Sequence, residues 1–174
     1  NTKSFNKTFY VNFMLYVIFF RNLSKIINKN KKMLIILFSG GGSTSFRENF
    51  SIYSLTKLCL VKLTEIMSKE IKSKKIRFNI LSPGIIYSRM IKQSLKAKSK
   101  ISKKELIKIK RNIKFSEINL YNIFKTINFL NSKKGEKING KFISSAWDKI
   151  NTKNNKTIKK IINSDVYTLR RKEF

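Results

Sequence analysis

The stretch MLIILF, Met33 to Phe38, is apolar at every position. A strand with one wet face alternates apolar and polar residues, so an unbroken apolar run fits a strand of a parallel sheet covered by helices on both faces. Its surroundings agree. From about residue 8 to 28 the chain is helix-permissive and apolar on nearly every side, with Phe13, Met14, Val17, Ile18, Phe20, Leu23 and Ile27 prominent. A helix of that kind is expected to be buried on more than one face. Basic NKNKK makes a turn before the strand, and SGGGSTS follows it as a loop. A second helix runs from Ser51 to about Lys72, with a broad apolar band through Leu55, Leu58, Cys59, Val61, Leu63, Ile66 and Met67. KIRFNILSPGII then reads as another strand, closed by Pro83, the one proline of the chain, and Gly84. Helix, strand, helix, strand is the order of an α/β fold.

Residues 89 to 118 carry nine lysines and no long apolar run. They are expected to be a mobile, solvated segment with helical character around Glu105 to Lys110. Leu120 to Leu130 reads as a helix, and KINGKFISS as a turn at Asn139 and Gly140 followed by a last strand. Residues 1–148 are read as part of one domain and 149–174 as a polar tail.

Charge limits the partners less than it first suggests. The chain has 39 Lys plus Arg against 9 Asp plus Glu, a formal charge of +30 over 174 residues. Such an excess attracts polyanions by counterion release. Here 32 of the cations are Lys and only 7 are Arg, spread through the chain beside 18 Asn and 26 Ile. Nucleic-acid readers lean on Arg and interleave aromatics with charge, whereas most Phe and Tyr here sit in apolar runs such as FYVNFMLYVIFF. Biased composition accounts for the charge, and no nucleic-acid partner is expected; a basic nucleic-acid-binding protein is the alternative reading. A single Cys59 excludes an internal disulfide and suits the cytoplasm. The run from Phe9 to Phe20, broken by Asn12, is shorter than the ~20 apolar residues a membrane span needs, so no membrane partner is expected. No metal site is expected.

Chemistry enters at FRENFSIYSLTK, where Tyr53 is followed four places on by Lys57. The pattern alone says little: six tyrosines and 32 lysines in 174 residues predict about one such match by chance, and Tyr121 with Lys125 is a second. Context separates them. Tyr53 is preceded by a strand ending in Ser39 and a glycine loop, and followed by a strand ending in Pro83-Gly84; Tyr121 has neither flank.

Asn12 in YVNFMLY, the strand ILFSGGG, YSLTK, the strand RFNILSPGIIYSRM and the late INGKFIS together resemble the short-chain dehydrogenase/reductase family, in the family's order and near its usual intervals. The resemblance implies an α/β fold, the C-terminal half of a Rossmann-like, doubly wound parallel sheet. It also implies an NAD(P)-dependent oxidoreductase interconverting an alcohol and a ketone. Tyr53 would be the general acid/base, and Lys57 would depress its pKa while holding the nicotinamide ribose. The physical reason is that free tyrosine titrates near ~10, while an ammonium at ~4 Å in an effective dielectric of ~20 favours phenolate by about 4 kcal/mol. Ser39 would hydrogen-bond the substrate oxygen. It lies 14 residues before Tyr53, one more than most members use; Gly40 occupies the usual position and Ser43 is the alternative. Asn12 would hold a water that relays protons to Lys57. Pro83, Gly84, the main chain of Ile86, and Ser88, where threonine is more usual, would contact the nicotinamide carboxamide.

No G-x-G-x-x-G occurs, so the phosphate-binding half that the resemblance implies is expected to lie outside this sequence, and NAD cannot be told from NADP. Residue 1 is Asn, and the chain is expected to begin partway through something longer. Three strands do not complete the sheet, MLIILF is expected to show an unpaired edge, and the chain alone is expected neither to fold well nor to turn over substrate. Helices 8–28 and 51–72 resemble those that build the family's dimer interface, implying a homodimer or homotetramer. Residues 89–118 fall where the family has its substrate lid. A noncatalytic relic keeping only the dimer surface is a further alternative.

Overall fold

Strands β1, Met33–Phe38, and β2, Ile76–Ser82, run parallel, in register from Met33 with Ile76 to Phe38 with Leu81. Strand β3, Phe142–Ser144, pairs in parallel with the other side of β2. The computed structural model describes residues 2–28, 30–97 and 101–170, and in it the sheet order is β1-β2-β3.

The apolar runs dictate what covers this sheet. Met33, Ile35 and Leu37 join Ile76, Phe78 and Ile80 in one apolar cluster, while Leu34 and Ile36 join Leu81 and Ile143 in another. Successive side chains of a strand point to opposite faces, so each run supplies both layers. The first cluster takes Phe20 from α2 (Leu15–Ile26) and Leu60, Val61 and Met67 from α3 (Ser51–Glu70). The second takes Ile123, Phe129 and Leu130 from α6 (Ser116–Asn131) and Ile158 and Ile161 from α7 (Asn155–Asn163). Each such side chain, fully buried, contributes about 1.5–3 kcal/mol. Helices on both faces of a parallel sheet make this a partial Rossmann-like α/β fold. Among the described residues β1 pairs only with β2. Its Leu34, Ile35 and Ile36 are half-buried, and Phe38 is 41% exposed.

Two asparagines hold the turn before β3. Asn79, fully buried in β2, accepts from Lys141 N and donates to Ile138 O at 3.0 and 2.9 Å. Asn139 accepts from Phe78 N at 2.8 Å and donates to Ser68 O at 3.2 Å. Gly140, at φ +71°, lets the chain turn into the strand.

The first helix departs from expectation in two ways. It begins earlier, with α1 at Thr2–Phe9, and a π-turn over Tyr10–Met14 separates α1 from α2. Burial on more than one face is not what the chain itself provides: Phe20 alone is buried, and Tyr10, Val11, Leu15, Ile18 and Phe19 are 40–53% exposed.

Residues 89–118 carry more helix than expected, and the helical character read around Glu105 to Lys110 is present. They form α4 (Arg89–Lys96), α5 (Lys103–Asn112) and the start of α6; residues 98–100 lie outside the described residues. Ser88 and Ser102 cap α4 and α5 by accepting from Ile91 N and Glu105 N. Ile91, Glu105 and Ile109 are buried. Only one or two side chains per turn face inward, so the lysines between them hid the apolar period. The polar tail likewise contributes Ile150, Ile158 and Ile161 to the second cluster. Its last described stretch is clasped by Glu65, which accepts from Leu169 N at 2.6 Å and from Arg170 at 3.1 Å.

Candidate functional site

Parallel strands open their carboxyl ends on one side of the sheet, where α/β proteins bind ligands. At that end of β1, Ser39 N donates to Leu81 O at 2.8 Å, extending the pairing by one residue. Its side chain is buried, and the Oγ has no hydrogen-bond partner. The glycines that follow make room for what α3 and the loop before it press against them. A Cβ on Gly40 would come 2.2 Å from Tyr53 Oη, and one on Gly42, at φ +99°, would come 2.2 Å from Ser54 Oγ. Cβ atoms on Gly41 and Gly42 would each meet Arg47 Cδ at 3.3 Å. Close approach, more than flexibility, thus accounts for the triplet. Ser43, also buried, donates from its Oγ to Gly40 O at 3.0 Å.

Tyr53 and Lys57 lie one turn apart on α3, which brings their side chains to one face. Lys57 Nζ is 5.8 Å from the centre of the Tyr53 ring and donates to Phe38 O at 3.1 Å, tying α3 to the end of β1. Burial pushes the Tyr53 phenol above its usual range, with the Arg47 charge pulling the other way. Burial pushes the Lys57 amine below its usual range. The phenol is therefore not acidified in this state, contrary to the expectation for Lys57. Removing both groups from water favours their uncharged forms, and the cation acting on the phenol is Arg47.

Asn12 sits, half-buried, in the π-turn. Such turns break the regular helical ladder and recur at functional sites. At the end of β2, Gly84 takes φ +77°, and Asn119 donates from Nδ2 to Ile85 O at 2.9 Å, fixing the turn after Pro83. Ile86 is half-buried, and Ser88 Oγ caps α4. The structure thus gathers Ser39, Tyr53 and Lys57 at the end of β1, with Pro83, Gly84, Ile86 and Ser88 at the end of the adjacent strand.

Arg47, Glu105 and Asn119 were missed from the sequence. Arg47 Nε donates to Glu105 Oε1 at 2.8 Å, Nη2 donates to the same oxygen, and Nη1 donates to Gly41 O at 3.4 Å. The available signal was rarity: one of 7 arginines, six places before Tyr53, and one of 9 acids. Among the described residues no cluster of three or more His, Cys, Asp or Glu is placed to hold a metal, and no helix is long and apolar enough to cross a membrane.

Residues 1–145 match the family described as Enoyl-(Acyl carrier protein) reductase. The chain belongs to this family, which is of the short-chain dehydrogenase/reductase type. Among solved structures it is similar to a 4-hydroxyisoleucine dehydrogenase mutant complexed with NADH and succinate, at 21% identity and a TM-score of 0.63, covering 83% of this chain and 58% of that one. The same dehydrogenase complexed with NADH aligns at 22% identity and a TM-score of 0.59, over 83% and 58%. Its complex with NADH and succinate gives 22% and 0.60, over 83% and 57%. The chain thus spans less than two thirds of the length of these dehydrogenases. No curated protein matches the chain significantly.

Proposed function

We propose that this chain is the catalytic portion of an NAD(P)-dependent oxidoreductase that interconverts an alcohol and a ketone, with Tyr53 as general acid/base. The observation that carries the reading is a half-buried tyrosine laid against Gly40, beside a buried serine hydroxyl with no partner, at the carboxyl end of a parallel strand. The residues present fit the nicotinamide end of a dinucleotide: Tyr53 and Lys57 for the ribose, and Pro83, Gly84, the main chain of Ile86, and Ser88 for the carboxamide. A bound nicotinamide supplies or accepts the hydride. Ser39 Oγ has a free hydrogen-bonding capacity for a substrate oxygen, whereas the Ser43 hydroxyl is engaged with Gly40 O, which favours Ser39. A phenol kept protonated by burial is a proton donor, so the folded pair is set to protonate the oxygen of a carbonyl undergoing reduction. Asn12, where the π-turn packs against α3, is assigned to the proton relay towards Lys57.

The glycine-rich phosphate cradle has no counterpart in this chain, so we expect the chain alone to bind no dinucleotide and to be inactive. Joined to the nucleotide-binding half of a related dehydrogenase, it should oxidise NAD(P)H with a panel of ketones, followed at 340 nm, and should lose that activity on Tyr53→Phe. Saturable NADH binding by the isolated chain would contradict the assignment of cofactor binding to two halves. Full activity of the Tyr53→Phe fusion would remove Tyr53 from the mechanism.

The open apolar stripe of α1 and α2, Leu55 and Ile66 on α3, and a groove of about 470 Å³ between α2 and α3 are suited to pairing with a second copy. That would give a homodimer or homotetramer through helices 8–28 and 51–72. Analytical ultracentrifugation reporting a clean monomer would overturn it.

A further inference from the structure

The Arg47–Glu105 pair joins two segments 58 residues apart, the glycine loop before Tyr53 and helix α5. Both side chains are nearly out of solvent, at 9% and 8% exposure. The guanidinium lies over the Phe50 ring at 4.0 Å and reaches to 5.8 Å from the centre of the Tyr53 ring. Its stem packs closely over Gly41 and Gly42, where an added Cβ would meet Arg47 Cδ at 3.3 Å. Glu105, in the first turn of α5, gives its carboxylate to Arg47 while Ser102 caps the helix. The groups bearing charge on the phenol are thus Arg47 from the loop, Lys57 from its own helix, and Glu105 from α5 through Arg47.

We propose that Arg47 and Glu105 form a latch that docks helix α5 over the Tyr53 loop and links the position of that helix to the charge felt by the phenol. This makes Arg47 a positioning residue for the acid–base step. With α5 docked, Glu105 offsets part of the Arg47 charge and the phenol stays a proton donor. With α5 away, the uncompensated guanidinium favours phenolate. The inference rests on the reading of Tyr53 given above, but its test does not require turnover.

The test is a pH titration of ring-labelled tyrosine by NMR in the fusion with the nucleotide-binding half, with Tyr53 assigned by Tyr53→Phe. Arg47→Gln should move the Tyr53 midpoint up, and Glu105→Gln should move it down. In both variants amide exchange of α5 should quicken by about tenfold or more. A merely structural pair predicts otherwise, since loosening the loop would hydrate the phenol and move both midpoints down. The exchanged pair, Arg47→Glu with Glu105→Arg, guards against variants that fail to fold. It should restore slow exchange in α5 yet raise the midpoint, because a carboxylate then faces the phenol. Midpoints moving together in the single variants, or an exchanged pair that lowers the midpoint, would overturn the proposal.

Discussion

At the amino end of α3, Ser39 and Ser54 hold buried hydroxyls with no partner. At its carboxyl end, Thr64 donates to Leu60 O, Ser68 donates to Glu65 O, and Glu65 accepts from Leu169 N, Lys62 and Arg170. An unpaired buried polar group costs about 1–3 kcal/mol. The two ends of α3 thus differ: its polar side chains are paired within the chain at the carboxyl end, whereas Ser54 on the helix and Ser39 at the end of β1 are open at the amino end. The satisfied end resembles scaffold. Open hydrogen-bonding capacity at the other end is what the proposed function would use.

Substitutions can break or sharpen that contrast. The largest effect is expected at Tyr53→Phe, which should lower the reduction rate of the fused enzyme about 10²–10⁴-fold. Its melting temperature should hardly move. Ser39→Ala should follow, with a clear loss of rate but unchanged or slightly higher stability in urea unfolding, since no hydrogen bond is lost. Glu65→Ala reverses the pattern and should cost about 1–3 kcal/mol of stability, with the stretch from Asp165 to Arg170 released, as amide exchange would report.

Glu65 also sets a pH limit. Burial pushes its carboxyl up, but hydrogen bonds from Leu169 N, Lys62 and Arg170 outweigh that and hold it below 4.5. A depressed carboxyl contributes stability that is complete above its unfolded value and lost as pH falls through the folded one. The chain should therefore weaken below pH 4.5 in acid unfolding, and Glu65→Gln should lose that part of the dependence. The smallest loss is expected for Ser54→Ala, which should leave stability unchanged or raise it, since it removes an unpaired hydroxyl. A large loss there would mean that the amino end is scaffold too.

The parts of this molecule legible in the sequence are those where one residue type fills a whole element. Met33–Phe38 was read to the residue, because a short run apolar at every position, bounded by a basic turn and a glycine loop, fits a covered parallel strand. Tyr53 and Lys57 were found because both lie on one helix, and their flanks are strand ends. Helix α5 was legible in part, around Glu105 to Lys110, whereas α4 was not, since Arg89–Lys96 buries only Ile91 and Ser94. Arg47 with Glu105 was out of reach for another reason: the partners belong to different segments, and only the folded chain brings them together. The direction of the Tyr53 shift was misjudged because spacing reports the neighbouring charge but not the burial that opposes it.

The π-turn at Tyr10–Met14 adds a residue to one loop of hydrogen bonding. A turn of this kind covers about the same angle as an α turn with one residue fewer, so the extra residue is absorbed and Thr2–Phe9 keeps nearly the phase it would have in a uniform helix. Phe9 and Phe13 meet edge-on there, at 5.5 Å. Shortening this stretch by one residue should leave both apolar stripes facing as they do, whereas lengthening it by one more, with no second wide turn, would swing the first stripe by about 100° relative to Leu15–Ile26.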